Sequence, residues 1–284
     1  MLATLEHPPS QNSVVGFDNR FKRAYQIAGF HLLNRTVCRE RILPHHYWLD
    51  VAGKRIIYCY IRKNACTAFK EMFRQESPYK SERDKFPRKI DFMDTYHAVK
   101  MGDDLTRVDA VIFVHRDPIE RIVSLYANKF IARSGNADIF GRYRRETGKN
   151  PEDASFRDFC HYIKDTPWQK VDPHCTSQMR HLAPIWYTHA IDMTSLHDVM
   201  SELLGADIGN RYFRARINHT EVGDVVGGCE DMPSRDLYEQ FIQKGTTPAY
   251  REFLKDDEIL WLLGKIYADD VAFRLSHVNN TSGI

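Results

Sequence analysis

The sequence of 284 residues contains no run of the roughly 18 to 20 consecutive apolar residues that a membrane-spanning helix needs. Its start, MLATLEHPPSQNSVV, also lacks the basic region and apolar core of a signal peptide. These absences predict a cytoplasmic protein with no membrane partner.

Positive and negative charges are nearly balanced, since the sequence has 40 lysines and arginines and 38 acidic residues. This balance predicts no nucleic-acid partner, so any affinity for phosphate must be local.

The patterns of metal and redox sites are absent as well. The six cysteines contain no C-x-x-C pair, which predicts reduced thiols: Cys38, Cys59, Cys66, Cys160, Cys175 and Cys229. Among the thirteen histidines, the pairs His45 with His46 and His181 with His189 lack acidic or cysteine partners at ligand spacing. We therefore expect no metal.

What the sequence does contain is an alternation of strand and helix patterns. The run KRIIYCYI, from Lys54, predicts a buried strand, and ACTAFKEMFRQ, from Ala65, predicts a helix. DAVIFVHR predicts a second strand, after which Asp117 and Pro118 are typical of a helix start. Later patterns predict a strand in IWYTHAIDM, a helix in SLHDVMSELLG and one long helix in DDEILWLLGKIYADDVAFRL.

This alternation predicts an α/β fold, a P-loop-like single domain with a central parallel sheet flanked by helices and a helical and loop insertion. The predicted segments are an N-terminal wrap (1–53), the two phosphate-type signatures (54–133), an acceptor-side insertion (134–183), and the remaining sheet and C-terminal helices (184–284).

The loop RKNACTA lies where a strand meets a helix, and a helix start offers backbone N–H groups to a phosphate. The nucleotide-hydrolase pattern G-x-x-x-x-G-K-[ST] is missing, because the loop has no glycine and Lys63 precedes the small residues. A nucleotide kinase or hydrolase remains the alternative to the interpretation below.

Two stretches, YIRKNACTAFK and VHRDPIERIVSLYANKF, resemble the paired signatures of the PAPS-dependent sulfotransferase superfamily. The motif R-D-P-x-E-R-x-V-S-x-Y is most similar to that of the carbohydrate sulfotransferases, including the uronosyl 2-O-sulfotransferases and the HNK-1 and chondroitin group. The resemblance covers Arg55 to about Arg133, with a weaker echo in LGKIYADDVAFRL. Residues between these stretches are not covered.

The resemblance implies that PAPS (3′-phosphoadenosine 5′-phosphosulfate) is the cosubstrate, that PAP is the product, and that the sulfuryl group moves directly and in line. Lys63 would neutralise charge on the oxygen that leaves the sulfuryl group. Arg116 and Ser124 would hold the 3′-phosphate. The implied donor loop comprises Arg62, Lys63, Asn64, Ala65, Cys66, Thr67, Ala68 and Phe69.

Several of these positions have alternative roles. Phe69 could meet adenine or belong to the core, and Cys66 is expected to pack rather than act as a nucleophile. Arg121 could bind ligand or pair with Asp117 or Glu120. The sequence departs from the family at Arg62, where many members have proline, and at Ala68, where many have a hydroxyl residue.

Two histidines are candidates for the catalytic base that accepts the proton of an acceptor hydroxyl. His97, in TYHAV, corresponds to a Tyr-His element of the uronosyl 2-O-sulfotransferases, although a structural role is its alternative. His174, in DPHCTSQ, corresponds to a histidine that follows the signatures in the HNK-1 and chondroitin group.

The acceptor is expected to be a small molecule or a carbohydrate, sulfated on a hydroxyl rather than an amine. The basic side chains that could attract an acidic glycan are Arg142, Arg144 and Arg145, and the rings that could stack on a sugar are Tyr143, Tyr162 and Trp168. The absence of a leader favours a small substrate. A non-catalytic PAP-binding protein is a further alternative, and the oligomeric state is open.

Overall fold

The computed structural model describes residues 43–100, 103, 107–214 and 228–281. These residues separate into two compact units, each discontinuous in sequence. The described part of the first falls within 43–115, 180–214 and 277–281, and that of the second within 116–179 and 228–276. Each unit has a buried apolar cluster of its own.

The first unit contains a four-stranded sheet with its strands in chain order. The strands are β1 (His46–Val51), β2 (Lys54–Cys59), β3 (Ala110–His115) and β4 (His189–Asp192). β2, β3 and β4 are parallel to one another, whereas β1 pairs with β2 in the antiparallel sense. The predicted α/β fold with a mainly parallel central sheet is confirmed.

The sequence pattern predicts the first strand at Lys54 and gives no signal for β1. β1 and β2 form a hairpin in which Val51 pairs with Lys54, so only Ala52 and Gly53 make the turn. Both have positive φ, 51° and 72°, as a two-residue type I′ turn requires. Alanine rarely adopts this conformation, and for that reason the A-G pair gave little turn signal.

The strands are apolar on both sides because both faces of the sheet are covered within the first unit. Ile56, Tyr58 and Ile112 pack on one face against helix side chains such as Met72. On the opposite face, Phe113 packs its ring 5.1 Å from that of Tyr187. Every residue of β3 is buried, as the continuous run AVIFVH predicted.

Three helices of the first unit accompany this sheet, α1 (Cys66–Glu76), α2 (Lys89–Tyr96) and α6 (Leu196–Leu204). A 3₁₀ helix covers Lys80–Lys85, and a short turn, Ala206–Ile208, leads into a π-helical stretch, Gly209–Phe213. The predicted helix in SLHDVMSELLG is confirmed, and it ends at Gly205 with φ 92°.

The second unit is helical. Its helices are α3 (Pro118–Tyr126), continued by a π-helical stretch (Ala127–Ile131), α4 (Ala137–Thr147), α5 (Phe156–Asp165), α7 (Ser234–Lys244), α8 (Asp257–Ile266) and the first part of α9 (Ala268–Thr281). Short 3₁₀ helices cover Gln178–His181 and Tyr250–Phe253. The short helices predicted within 134–183 are present as α4 and α5, and the acceptor-side role of this segment stays a prediction.

Two local predictions for this unit had different outcomes. Asp117 caps α3 as predicted, because its Oδ1 accepts hydrogen bonds from the N–H groups of Ile119 and Glu120 at 2.9 and 3.0 Å. The single long C-terminal helix was wrong, since the chain breaks at Tyr267 and forms α8 and α9. The apolar periodicity runs through the break and could not reveal it.

Among the described residues, no helix has the length and apolar character needed to cross a membrane. The five cysteines in the described ranges are all reduced, and Cys38 lies outside those ranges. The cytoplasmic location stays a prediction.

Candidate active site

The predicted donor loop lies in the first unit, between the end of β2 and the start of α1. Lys63 and Ala65 both have left-handed backbones, with φ of 69° and 53°. Such a conformation costs a residue with a Cβ roughly 1 kcal/mol or more. A loop without glycine therefore holds a shape that glycine would adopt more easily, and other contacts must keep it there.

Asn64 supplies one such contact. It is completely buried, and its Nδ2 donates a hydrogen bond of 2.8 Å to the carbonyl of Val114 in β3. Its own N–H donates to the carbonyl of Ile61 at 3.3 Å. The side chain thus ties the middle of the loop to the neighbouring strand. The resemblance places Asn64 in the donor loop but implies no such anchoring role for its side chain.

Helix α1 begins at this loop without a side-chain cap. Its N-cap is Ala65, whose carbonyl accepts the N–H of Ala68 at 3.0 Å, and the helix runs for 11 residues. Cys66 and Thr67 are half-buried in the first turn, where a helix offers no internal acceptor to its N–H groups. An anion is a suitable partner for such an end.

Lys63 and Arg62 are both half-buried in the loop. The guanidinium carbon of Arg62 lies 5.5 Å from the ring centroid of Tyr60, which is close enough for a cation–π contact. Arg62 therefore rests on an aromatic surface. The loop brings two cationic side chains to the start of α1.

Phe69 belongs to the core of the first unit. Its side chain is completely buried, and its ring stacks on Tyr58 with centroids 3.8 Å apart and planes 3° apart. Phe213 adds a second ring contact at 4.9 Å. This packing favours the core role that the sequence analysis left open and gives no support to an adenine contact.

Arg116 and Ser124 lie in the second unit. Arg116 precedes α3 and its Nε is 3.5 Å from Oε2 of Glu120, whereas Ser124 is half-buried two turns into the helix. Arg121 is completely buried and donates to the carbonyls of His174 and Thr176 at 3.0 and 2.8 Å. Arg121 therefore supports the segment around His174, a role that the sequence analysis had not considered.

His97 lies in the first unit and is only 1% exposed. Its Nδ1 is 2.9 Å from the carbonyl of Trp48, and its Nε2 is 2.9 Å from the hydroxyl of Ser77. Burial lowers the pKa of His97 to about 4, although the hydrogen bond with Trp48 acts in the opposite direction. This enclosure favours the structural alternative over a catalytic base.

His174, in the second unit, is arranged differently. Its side chain is 28% exposed, and its Nδ1 lies 2.7 Å from Oδ1 of the buried Asp172. The same oxygen accepts the N–H of His174 at 2.9 Å. Burial acts to raise the pKa of Asp172, but bonds and charge from His174, with the charge of Arg142, hold it below its usual value. A carboxylate on Nδ1 makes Nε2 the basic nitrogen.

Asp172 was not among the predicted site residues, although it stands in DPHCTSQ two positions before His174. An acidic residue at that spacing beside a candidate base was the available signal. The suggested sugar-stacking rings Tyr143 and Tyr162 are 1% and 3% exposed and belong to the core of the second unit, whereas Trp168 is 51% exposed. In the described ranges, no group of three or more His, Cys, Asp and Glu residues could hold a metal ion.

Comparison with known proteins identifies the family that these motifs resemble. The model of the sulfotransferase family matches residues 46–273. The chain belongs to this family. No solved structure gave a significant match.

The sulfotransferase match is accompanied by curated relatives of low identity. Carbohydrate sulfotransferase 14 of Danio rerio is 27% identical over 168 residues, which are 49% of this chain and 46% of that protein. The same enzyme of Mus musculus is 28% identical over 166 residues, 49% of this chain and 44% of that protein. Carbohydrate sulfotransferase 11 of Danio rerio is 28% identical over 138 residues, 42% and 39% respectively. The alignments span less than half of each relative.

Replacing Asn64 by alanine removes the donor that the carbonyl of Val114 receives from the loop. We expect the free energy of unfolding to fall by about 1 to 3 kcal/mol, and PAP binding to weaken because the loop loses its anchor. Chemical denaturation and calorimetric titration measure the two effects. Asn136→Ala is the matched control, since Asn136 makes no side-chain cap hydrogen bond at α4. Equal stabilities of Asn64→Ala and wild type would contradict the anchoring role.

Replacing His97 by glutamine should flatten the pH dependence of stability. A histidine with a pKa of 6.5 when unfolded and about 4 when folded binds its proton mainly in the unfolded state between these values. The wild type should therefore lose about 3 kcal/mol from this residue as pH falls from 6.5 to 4. Denaturation at several pH values tests this. An unchanged slope in His97→Gln, or loss of sulfate transfer by the folded variant, would contradict a structural His97.

Proposed function

We propose that the protein transfers the sulfuryl group of PAPS to a hydroxyl of a carbohydrate acceptor. The observation that carries the proposal is the loop before α1, which combines an uncapped helix start with Lys63 and Ala65 in left-handed conformations. Successive N–H groups in such a loop form a concave anion site. Membership of the sulfotransferase family makes the phosphosulfate the anion that we assign to it.

Different residues of the loop would bind different groups at the 5′ end of the donor. The hydroxyl of Thr67 and the N–H groups of the first turn of α1 would bind the phosphate oxygens. The ammonium of Lys63 would face the oxygen that bridges phosphorus and sulfur. Charge develops on that oxygen as the sulfur–oxygen bond breaks, so a positive group there stabilises the transition state more than the ground state.

Residues of α3 and its approach are assigned to the other anionic end. The guanidinium of Arg116 offers a planar pair of donors that suits the 3′-phosphate, and the hydroxyl of Ser124 adds a third donor. Glu120, 3.5 Å from Arg116, would compete for the guanidinium, so the phosphate must replace or share that contact. The family signature supports this assignment.

His174 is our candidate for the base. As the acceptor oxygen bonds to sulfur and the bridging sulfur–oxygen bond breaks, Nε2 of His174 would accept the hydroxyl proton and PAP would leave. Asp172 would keep the proton on Nδ1 and stabilise the imidazolium that forms. The 2.7 Å contact between Asp172 and His174 supports this choice over the enclosed His97.

The carbohydrate class of the acceptor rests on the relatives. The proteins that match this chain are named carbohydrate sulfotransferases, which favours a sugar over the small-molecule alternative. We assign a hydroxyl rather than an amine as the group that is sulfated.

Replacing Lys63 by alanine should reduce the rate of transfer by about 100- to 1,000-fold, the usual effect of losing one donor to a developing negative charge. Sulfate gain by an oligosaccharide panel incubated with PAPS, followed by mass spectrometry, measures the rate. PAP affinity, measured by titration, should fall much less. Lys70→Ala is the matched control. It also removes one positive charge, but from a lysine of α1 that is not assigned to the donor and whose Nζ lies 5.9 Å from the ring centroid of Tyr60.

Full activity of Lys63→Ala would reject the assignment of Lys63. Thermal stabilisation by ATP with magnesium but not by PAP would instead favour a kinase or hydrolase. Donor binding with no sulfated product from any sugar or small metabolite would favour a non-catalytic PAP-binding protein.

Replacing His174 by alanine should lower the transfer rate by about 100- to 10,000-fold, as expected for loss of a general base. PAP binding should be unchanged, because His174 is assigned to the acceptor proton. His161→Ala, a half-buried histidine of α5, is the control variant. Transfer by His174→Ala at the wild-type rate, measured in the same assay, would remove His174 from the mechanism.

A further inference from the structure

Gln178 makes an unusual pair of contacts with the backbone of Arg116. Its Oε1 accepts the N–H of Arg116 at 2.9 Å, and its Nε2 donates to the carbonyl of Arg116 at 2.9 Å. One side-chain amide therefore satisfies both backbone groups of a single residue, as a neighbouring strand would do. Gln178 is only 1% exposed, so water cannot readily replace it.

Gln178 is itself held by Asp270, near the start of α9. Oδ2 of Asp270 accepts the N–H of Gln178 at 2.9 Å and its Nε2 at 3.3 Å. Oδ1 accepts the hydroxyl of Ser177 at 2.5 Å and the N–H of Met179 at 3.1 Å. Asp270 is 2% exposed. A buried carboxylate with four such donors fixes the whole segment from Ser177 to Met179.

The carboxylate also fixes the orientation of the Gln178 amide. An amide that turned over would direct its oxygen at Oδ2 of Asp270 and at the carbonyl of Arg116, two acceptors that cannot donate to it. Only the observed orientation lets Nε2 face both acceptors while Oε1 receives the N–H of Arg116. Asp270 thus reinforces the amide orientation that the N–H and the carbonyl of Arg116 also require.

We propose that Gln178, oriented by Asp270, is the positioning residue that sets the backbone of Arg116 so that its guanidinium binds the 3′-phosphate of the donor. The inference rests on the proposed function. Nε of Arg116 lies 3.5 Å from Oε2 of Glu120, so the guanidinium already has a competing anion, and a shift of the backbone would change its distance to both anions. A fixed backbone also reduces the conformational entropy lost when the phosphate binds.

The test compares two ligands that differ only in the 3′-phosphate, PAP and adenosine 5′-monophosphate, by calorimetric titration. Wild type should bind PAP at least about tenfold more tightly than the monophosphate, since charge-assisted hydrogen bonds to the 3′-phosphate contribute that much. We call this ratio of affinities the preference. Arg116→Ala should abolish the preference. Gln178→Met keeps the length and volume of the side chain but not its hydrogen bonds, and should reduce the preference at least about fivefold. Its affinity for the monophosphate should stay within about twofold of wild type.

Asp270→Asn is the second variant and should reduce the preference in the same direction, which keeps the test valid if Gln178→Met does not fold. Gln240→Ala, a half-buried glutamine of α7, is the control and should leave the preference unchanged. Thermal unfolding identifies the folded variants.

Three outcomes would overturn the inference. Folded Gln178→Met and Asp270→Asn with the wild-type preference would reject the positioning role while leaving the PAPS proposal intact. Equal weakening of both ligands would assign Gln178 a purely structural role. A wild type that binds the two ligands equally would instead reject the 3′-phosphate assignment of Arg116, and the inference with it.

Discussion

The candidate donor site depends on one hydrogen bond between a buried amide and a strand. Asn64 donates to the carbonyl of Val114, and this contact holds a glycine-free loop in a shape that includes two left-handed residues. Gln178 repeats the chemistry in the second unit, where its amide binds the backbone of Arg116. Both amides lie where water is excluded, so each hydrogen bond is strong and its loss is costly. In each case the buried amide fixes a stretch of backbone from which a cationic side chain, Lys63 or Arg116, extends.

The elements that local chemistry determines could be predicted from the sequence. The strand, loop and helix around Lys63 follow from an apolar run, a polar interruption and helical spacing. The start of α3 follows from Asp117 and Pro118, and the end of α6 follows from Gly205. These signals lie within a few residues of the features that they predict, so no knowledge of the tertiary structure is needed.

The features that were missed depend on residues distant in sequence. β1 exists because it pairs with β2 across a turn that places Ala52 in an unfavourable conformation. Phe69 has the apolar pattern of a core residue and of a ligand contact alike, and only its stack on Tyr58 separates the two. His97 is enclosed by Trp48 and other side chains that the sequence alone does not bring near it.

The break at Tyr267 has an electrostatic consequence for Asp270. Tyr267 ends α8, its carbonyl accepts the N–H of Val271, and its hydroxyl donates to the carbonyl of Cys175 at 2.7 Å. α9 therefore starts anew, and Asp270 occupies its first turn. The positive end of the helix dipole lies there and offsets part of the cost of burying a carboxylate. In an uninterrupted helix the same aspartate would lie near the middle of the helix, far from either end of the dipole, and its burial would cost more free energy.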